Sequence, residues 1–157
     1  MNSPAPDPPG QPDRQLQDLL SLSALTTFRL NGQFLALAEQ LARPAGLTAT
    51  RWQVIGAVLT TPLTVSDIAR VMGMTRQSVQ RTADLLAADG LVEYRTNPAH
   101  ARAKLVAPTE SGIDAVRSIG PQHQRAASAI ATQLGADRWA AALAALEALS
   151  AALDATD

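Results

Sequence analysis

Apolar side chains recur every three or four residues along most of the chain, which is the period of an amphipathic α-helix. The first such stretch covers residues 16–41, and it is followed by Pro44 and Gly46, which are typical of helix ends. A second helix is predicted over residues 48–59, with Trp52 on its apolar side. Two successive helices are therefore expected before residue 60.

Two short helices joined by a tight turn are predicted next. Thr64 stands three residues before Asp67, a spacing that lets each side chain satisfy a free N–H group of the first helical turn. This helix closes at Gly73, and Thr75 suits the N-cap of the following helix, which extends to about residue 88. The arrangement is that of a helix-turn-helix.

The pattern then changes to the alternation of apolar and polar residues that is typical of a half-buried strand, over residues 92–96. Residues 104–107 supply a return strand, and residues 97–103 form the loop between the two. Thr109 caps a further helix, which we expect the Gly120-Pro121 pair to kink or interrupt.

The two ends of the chain have different patterns. Residues 1–14 are rich in proline and have almost nothing to bury, so they are predicted to be a disordered or extended tail. A last helix begins at Asp137 and carries an apolar stripe made of Trp139, Leu143, Leu146, Leu149 and Leu153. Residues 15–157 are predicted to form one domain, mainly α-helical with a small β-hairpin wing.

Composition narrows the class of protein. Hydrophobic residues make up 46% of the chain but aromatic residues only 3%, and the abundance of alanine and leucine favours helices. The chain has no cysteine, which excludes disulfides, thiolate metal sites and thiol redox switches. The N-terminus lacks the pattern of a secretory signal, and no apolar run is long enough to span a membrane, so we expect a cytoplasmic protein.

The distribution of charge is more informative than its sum. A net charge of -1 argues weakly against nucleic-acid binding. Residues 51–104, however, contain seven basic residues against four acidic ones. The predicted helix-turn-helix and wing are therefore net positive.

The helix that begins after Thr75 divides into two faces when its residues are placed 100° apart. One arc of about 100° holds the residues expected to pack inward, namely Val79, Thr82, Ala83 and Leu86. The opposite arc holds Arg76, Gln77, Gln80, Arg81 and Asp84, with Ser78 to one side. An ordinary solvated helix has such a face, but arginine and glutamine also match guanine and adenine edges in the major groove. The helix-turn-helix context favours DNA, with Thr75 and Ser78 suited to phosphate contacts.

The loop over residues 97–103 fits the same geometry. A β-hairpin beside a recognition helix can place Arg102 in the minor groove, while Arg95 and Lys104 contact phosphates. A mobile polar loop without a DNA contact is the alternative.

Several short segments together resemble one known family. They are Gly46-Leu47-Thr48 followed by Trp52, Val65-Ser66-Asp67-Ile68-Ala69, Thr75-Arg76-Gln77-Ser78-Val79-Gln80-Arg81, Leu86 with Asp89-Gly90-Leu91-Val92, and Pro108-Thr109-Glu110-Ser111-Gly112. In this order and spacing they resemble the MarR family of bacterial regulators, named for multiple antibiotic resistance. The resemblance covers nearly the whole chain after the tail.

The resemblance implies a winged-helix lobe at residues 47–108, with residues 15–46 and 109–157 forming dimerisation helices. It also implies binding to a roughly palindromic operator, commonly as a repressor that a small aromatic or anionic ligand releases. In the family wing an Asp commonly stands two residues before the Arg, and here that position is His100. We therefore consider two roles for His100, a direct DNA contact and a pH dependence of binding.

The apolar terminal helices independently favour a homodimer, because a winged helix of about 60 residues buries little by itself. The family resemblance places the effector pocket between these helices and the DNA-binding lobe, near Phe28, Arg29 and Trp52. Packing in the core is the alternative role of Phe28 and Trp52.

Other functions are less well supported by the sequence. It contains no HExxH motif, phosphate-binding glycine loop or serine elbow, which argues against an enzyme, and no cofactor is expected. The isolated His100 and His123, without any cysteine, argue against a metal site. A winged helix that binds an acidic protein partner rather than specific DNA remains the alternative.

Overall fold

The computed structural model describes residues 11–100 and 102–156. Within these ranges the chain forms six α-helices and three short strands. In chain order they are α1 (Gln11–Ala42), α2 (Ala49–Val58), β1 (Leu63–Thr64), α3 (Val65–Met72), α4 (Arg76–Ala88), β2 (Val92–Arg95), β3 (Leu105–Pro108), α5 (Glu110–Leu134) and α6 (Ala136–Asp154). The predicted fold class, mainly α with a small β wing, is confirmed.

Threonine side chains begin four of the helices. In each case the hydroxyl accepts a hydrogen bond from the backbone N–H three residues later, and the capping residues are Thr48, Thr64, Thr75 and Thr109. The first N–H groups of a helix have no partner within it, so these caps fix where α2, α3, α4 and α5 start.

Helix α1 begins earlier than the sequence pattern indicated. Residues 11–14 were predicted to belong to the tail, but they are helical, whereas residues 1–10 lie outside the described residues. Pro12 fits the first turn because its missing N–H has no intrahelical acceptor there, and Asp13 is favoured near the positive end of the helix dipole. The tail prediction is therefore wrong for these four residues.

Helix α5 continues through Pro121, so the predicted interruption did not occur. Proline removes one N–H donor and crowds the carbonyl of Arg117, four residues earlier. Both residues are exposed, so solvent can satisfy that carbonyl. Packing of α5 against α1 and α2 further supports the continuous helix.

The wing is a small antiparallel sheet with strand order β1-β3-β2. The predicted hairpin is confirmed, with Tyr94 of β2 opposite Val106 of β3. Strand β1 adds a third strand by pairing Leu63 with Val106. Its two residues are too few to show the alternation from which a strand is predicted.

The hydrophobic core lies in the winged-helix lobe and against the first half of α5. Its largest fully buried side chains are Ile55, Ile68, Leu86, Ile119, Val54, Val58, Val79 and Val106. By contrast, no residue of Ala136–Asp154 is buried, and most of α1 is exposed. Within the ranges described, no helix is long and apolar enough to cross a membrane.

Candidate nucleic-acid interface

The exposed face of α4 is the centre of the candidate interface. The four residues predicted to face inward are all buried, and Thr82 also donates a hydrogen bond from its hydroxyl to the carbonyl of Ser78, at 3.0 Å. The residues on the other side are exposed, namely Thr75, Arg76, Gln77, Ser78, Gln80, Arg81 and Asp84. The predicted division of this helix into a buried and an exposed face is confirmed.

The turn before α4 sets the angle at which this face is presented. Gly73 takes a left-handed conformation, with φ at +61°, that a residue with a Cβ rarely adopts. The backbone N–H of Met74 then bonds to the carbonyl of Ala69 at 2.9 Å. This closes α3 and leaves Thr75 in the extended conformation from which it caps α4.

The start of α3 is stabilised by a polar cluster. The Thr64 hydroxyl donates to Asp67 Oδ2 at 2.7 Å and accepts from the Asp67 N–H at 3.1 Å. Arg70 donates to the other carboxylate oxygen at 2.9 Å. The Thr64 hydrogen bond, followed by that of Arg70, lowers the pKa of Asp67 below its usual value.

Three cationic side chains border one cleft between the start of α3, the exposed face of α4 and the wing. They are Arg76, Arg102 and Lys104, and the hydroxyl-bearing Thr64 and Ser66 line the same cleft of about 350 Å³. Asp84 also lines this cleft, and its carboxylate accepts hydrogen bonds from Gln80 and Tyr94. Three cations against one carboxylate leave the cleft net positive, so it suits an anion such as a phosphate. The structure thus brings Arg102 and Lys104, two of the three predicted wing cations, beside α4, whereas Arg95 does not line this cleft.

Gln80 belongs to a hydrogen-bonded cluster between α4 and the wing. Its Nε2 donates to Asp84 Oδ1 and to the Tyr94 hydroxyl oxygen, each at 2.9 Å, and Tyr94 donates to Asp84 Oδ1 at 2.6 Å. Burial, together with the hydrogen bond to Asp84, raises the pKa of Tyr94 to about 12. The sequence reasoning did not include Tyr94 in the site, because the alternation over residues 92–96 indicated only a half-buried strand.

Arg95, predicted as a phosphate contact, pairs with Glu93 within β2. The Arg95 Nη2 and Glu93 Oε1 atoms are 2.6 Å apart, and about half of each side chain is exposed. Such a surface pair contributes little stability, so a phosphate can compete for the guanidinium. The predicted role of Arg95 stays a prediction.

The tip of the wing is organised by Asn97. This side chain is only 9% exposed, and its Oδ1 accepts from the Ala99 N–H at 3.0 Å. The His100 N–H bonds to the Asn97 carbonyl at 3.3 Å, and the Ala103 N–H bonds to the His100 carbonyl at 3.1 Å. His100 is therefore exposed at a turn built by backbone and Asn97 contacts, with Arg102 exposed nearby.

An ion pair that the sequence reasoning missed joins α2 to the end of α4. Arg51 donates from Nη2 to the carboxylate of Asp89, the C-cap residue of α4. The two residues lie 38 positions apart, and no periodicity relates them. The pair connects the helix that carries Trp52 to the helix that carries the exposed polar face.

The residues predicted for an effector pocket are only partly brought together. Trp52 lines a cavity of about 270 Å³ between α1, α2, α5 and α6, and its ring meets that of His123 edge to face, with centroids 5.9 Å apart. Phe28 is 71% exposed, Arg29 is exposed, and neither lines this cavity. Elsewhere on the described surface, no cluster of three or more His, Asp or Glu side chains is placed to hold a metal ion.

The chain resembles known sequences along most of its length. A family model described as "MarR family" matches residues 45–103. The uncharacterized protein Rv2011c of Mycobacterium tuberculosis is 36% identical over 104 residues, which cover 66% of this chain and 73% of that protein. The uncharacterized protein Mb2034c of Mycobacterium bovis matches with the same figures.

Solved structures share the fold. Sco5413, a MarR family transcriptional regulator from Streptomyces coelicolor, is 25% identical, with a TM-score of 0.68 over 87% of this chain and 97% of that chain. The M. tuberculosis transcriptional regulator MosR in complex with DNA is 24% identical, with a TM-score of 0.66 over 83% and 96%. A mutant MarR from E. coli complexed with operator DNA is 22% identical, with a TM-score of 0.72 over 84% and 95%. On the sequence and structural matches together, the chain belongs to the MarR family.

Proposed function

We propose that this protein is a transcription regulator that binds a specific double-stranded DNA sequence through the exposed face of α4. The observation that carries the proposal is the arrangement of that face, where Arg76, Gln77 and Arg81 are exposed beside a cleft lined by Arg102 and Lys104. Arginine and glutamine match base edges, and the wing cations match phosphates. Two proteins that share this fold, MosR and the E. coli MarR mutant, were solved in complex with DNA, which supports DNA binding by this chain.

The regulator acts as a homodimer on a pseudo-palindromic operator. The exposed leucines of α1 and α6 supply apolar surface for a second copy, and a twofold dimer presents α4 twice. Recognition helices about 34–36 Å apart enter successive major grooves on one side of B-DNA. Half-sites are therefore expected one helical turn apart.

The regulator is a repressor that a small ligand releases. The cavity beside Trp52 approaches the size of small-molecule sites, which start at roughly 300 Å³, and its walls are mostly apolar. The ligand is a small aromatic or anionic compound bound beside Trp52, and it releases DNA because it binds the free form of the protein more tightly than the DNA-bound form. Phe28 and Arg29, which the family resemblance places near the effector, lie outside this cavity. A coupling of about 1–3 kcal/mol between ligand and DNA lowers DNA affinity roughly 5- to 150-fold.

The direct test is binding to the DNA upstream of the protein's own gene, compared with a scrambled duplex of equal length across a salt titration. A regulator of this kind prefers its own site by about 10³-fold or more. Equal binding to both duplexes, or none at low salt, would instead favour a winged helix that binds an acidic protein.

His100 is proposed to contact DNA or to make binding depend on pH, because it is exposed at the wing tip next to Arg102. Histidine changes charge between about pH 5 and 8, and the added positive charge strengthens attraction to phosphates. Competition binding at both ends of this range, with the wild type and His100→Ala, tests the idea. Equal pH responses of the two proteins would discard the pH dependence.

A further inference from the structure

The Gln80–Asp84–Tyr94 cluster restricts what Gln80 can offer to a DNA base. A glutamine carboxamide has two N–H donors and one carbonyl acceptor. In this structure the nitrogen that carries both donors, Nε2, lies 2.9 Å from each of two acceptors inside the protein, Asp84 Oδ1 and the Tyr94 hydroxyl oxygen. Over the described residues no hydrogen bond engages Gln80 Oε1, so this oxygen is the polar atom free to accept from DNA.

The partners themselves fix the orientation of the carboxamide. The Asp84 carboxylate can only accept, and Tyr94 gives its single proton to Asp84 at 2.6 Å. The Gln80 atom that faces both groups must therefore be the NH₂, because a carbonyl oxygen there would meet two acceptors. The high pKa of Tyr94, about 12, keeps its proton in place at neutral pH.

This restriction changes the base that Gln80 can recognise. The usual glutamine pairing with adenine is bidentate, accepting from N6 and donating to N7. A glutamine whose N–H groups are engaged by the protein can only accept, so it donates no hydrogen bond to N7 of adenine. The groups that donate in the major groove are the exocyclic amines, N6 of adenine and N4 of cytosine.

We infer that Gln80 recognises an exocyclic amino group of adenine or cytosine as a fixed acceptor, and that Tyr94 and Asp84 act as positioning residues that hold it in this state. The inference rests on the proposed DNA-binding function and specifies the chemistry of one contact within it. The control position is Gln77, one turn earlier on the same face and outside the cluster.

The test begins with a duplex that the wild-type protein selects from a library of random double-stranded sequences. Affinities for every single base-pair change, measured with wild type, Gln80→Ala and Gln77→Ala, identify the position whose preference depends on Gln80. We expect adenine or cytosine there, and we expect its replacement by thymine or guanine to cost the wild type about fivefold or more.

The second arm places adenine at that position and compares it with its 7-deaza analogue, which lacks the N7 acceptor. Wild type should bind the two duplexes within twofold of each other. In Tyr94→Phe the lost hydroxyl frees one Gln80 donor, so the analogue should bind about fivefold more weakly than adenine. A purely structural role of Tyr94 would weaken both duplexes alike, and thermal unfolding of each variant checks that it is folded.

Three results would overturn the inference while leaving the DNA-binding function intact. They are a guanine or thymine preference at the Gln80-dependent position, a fivefold loss with the 7-deaza analogue in the wild type, and equal discrimination by wild type and Tyr94→Phe. Failure of the wild type to select any sequence would instead overturn the proposed function and this inference with it.

Discussion

Internal hydrogen bonds divide the polar residues on the exposed face of α4 into two groups. Gln80 and Asp84 are engaged with Tyr94, whereas in the described parts of the chain no hydrogen bond or ion pair engages the side chains of Gln77 and Arg81. A side chain without an internal partner exchanges only water for a base edge, so it loses no protein contact on binding. We therefore expect Gln77 and Arg81 to contribute most of the bidentate base recognition.

Replacing these side chains should separate base recognition from phosphate attraction. Gln77→Ala or Arg81→Ala should relax the preference at particular base pairs by about 1–3 kcal/mol each. Lys104→Ala should weaken binding to all duplexes alike and reduce the salt slope by about 1. Binding to base-substituted duplexes over a salt series measures both effects, and equal losses on specific and nonspecific DNA from all three variants would contradict the base-reading assignment.

A close backbone contact fixes the junction between the wing and α5. A Cβ built on Gly112 would lie 2.0 Å from the carbonyl oxygen of Leu91, which itself accepts from the Thr109 N–H at 3.1 Å. Because the three Leu91 atoms nearest to this Cβ are all backbone atoms, no side chain can move aside. The glycine in the Pro108–Gly112 segment is thus required by packing.

Gly112→Ala should lower the free energy of unfolding by about 1–3 kcal/mol, as overpacked core substitutions do. Gly56→Ala is the matched control, since Gly56 lies within α2, Ala57 and not a proline follows it, and its added Cβ meets nothing within 4 Å. That change should raise stability by roughly 0.5–1 kcal/mol through helix propensity. Denaturant unfolding measures both, and a neutral Gly112→Ala would show that α5 can shift away from Leu91.

Elements that begin with a local signal were predictable, and those that depend on distant partners were not. Thr64 and Thr75 stand directly before apolar helical patterns, so their helices and the buried face of α4 followed from the sequence. Strand β1 exists only because Leu63 finds Val106 across the fold, and the Arg51–Asp89 pair joins positions 38 residues apart. The interruption predicted at Pro121 did not occur because tertiary packing, which local propensity does not include, supports helix α5.

The capping cluster of α3 gives an element-scale prediction. Thr64→Ala should reduce the free energy of unfolding by about 1 kcal/mol near neutral pH, whereas Thr64→Ser keeps the hydroxyl and should change it little. The folded pKa of Asp67 is below its usual 3.8, so its contribution is present above pH 3.8 and is lost as the pH falls through the folded value. The difference in the free energy of unfolding between wild type and Thr64→Ala should therefore become smaller in acid. A difference that does not depend on pH would contradict the role of Asp67.

At the scale of the whole molecule, the core is concentrated in the winged-helix lobe and the terminal helices expose their apolar residues. Leu16, Leu19, Leu20, Leu22, Leu25 and Phe28 of α1 are each more than 60% exposed, and the leucine stripe of α6 is exposed as well. The exposure of α1 also explains why Phe28, predicted for the effector pocket, does not line the cavity that contains Trp52. A sequence pattern shows that Phe28 lies on an apolar face, but not whether that face belongs to the same cavity as Trp52.

A second copy of the chain covering these faces leads to the last prediction. Placing a charge there by combining Leu22→Glu with Leu149→Glu should convert a dimer into monomers, because each buried carboxylate would lack a partner. Sedimentation should show the change in mass, and the concentration dependence of the thermal midpoint expected for the wild-type dimer should disappear. Specific DNA affinity should fall steeply as well, since a monomer occupies one half-site.

Val71→Glu is the matched control, because Val71 is 63% exposed on α3, away from both helices, and should leave the mass unchanged. A wild-type protein that sediments as a monomer at every concentration would contradict the dimer, and the twofold operator proposed from it would have to be abandoned too.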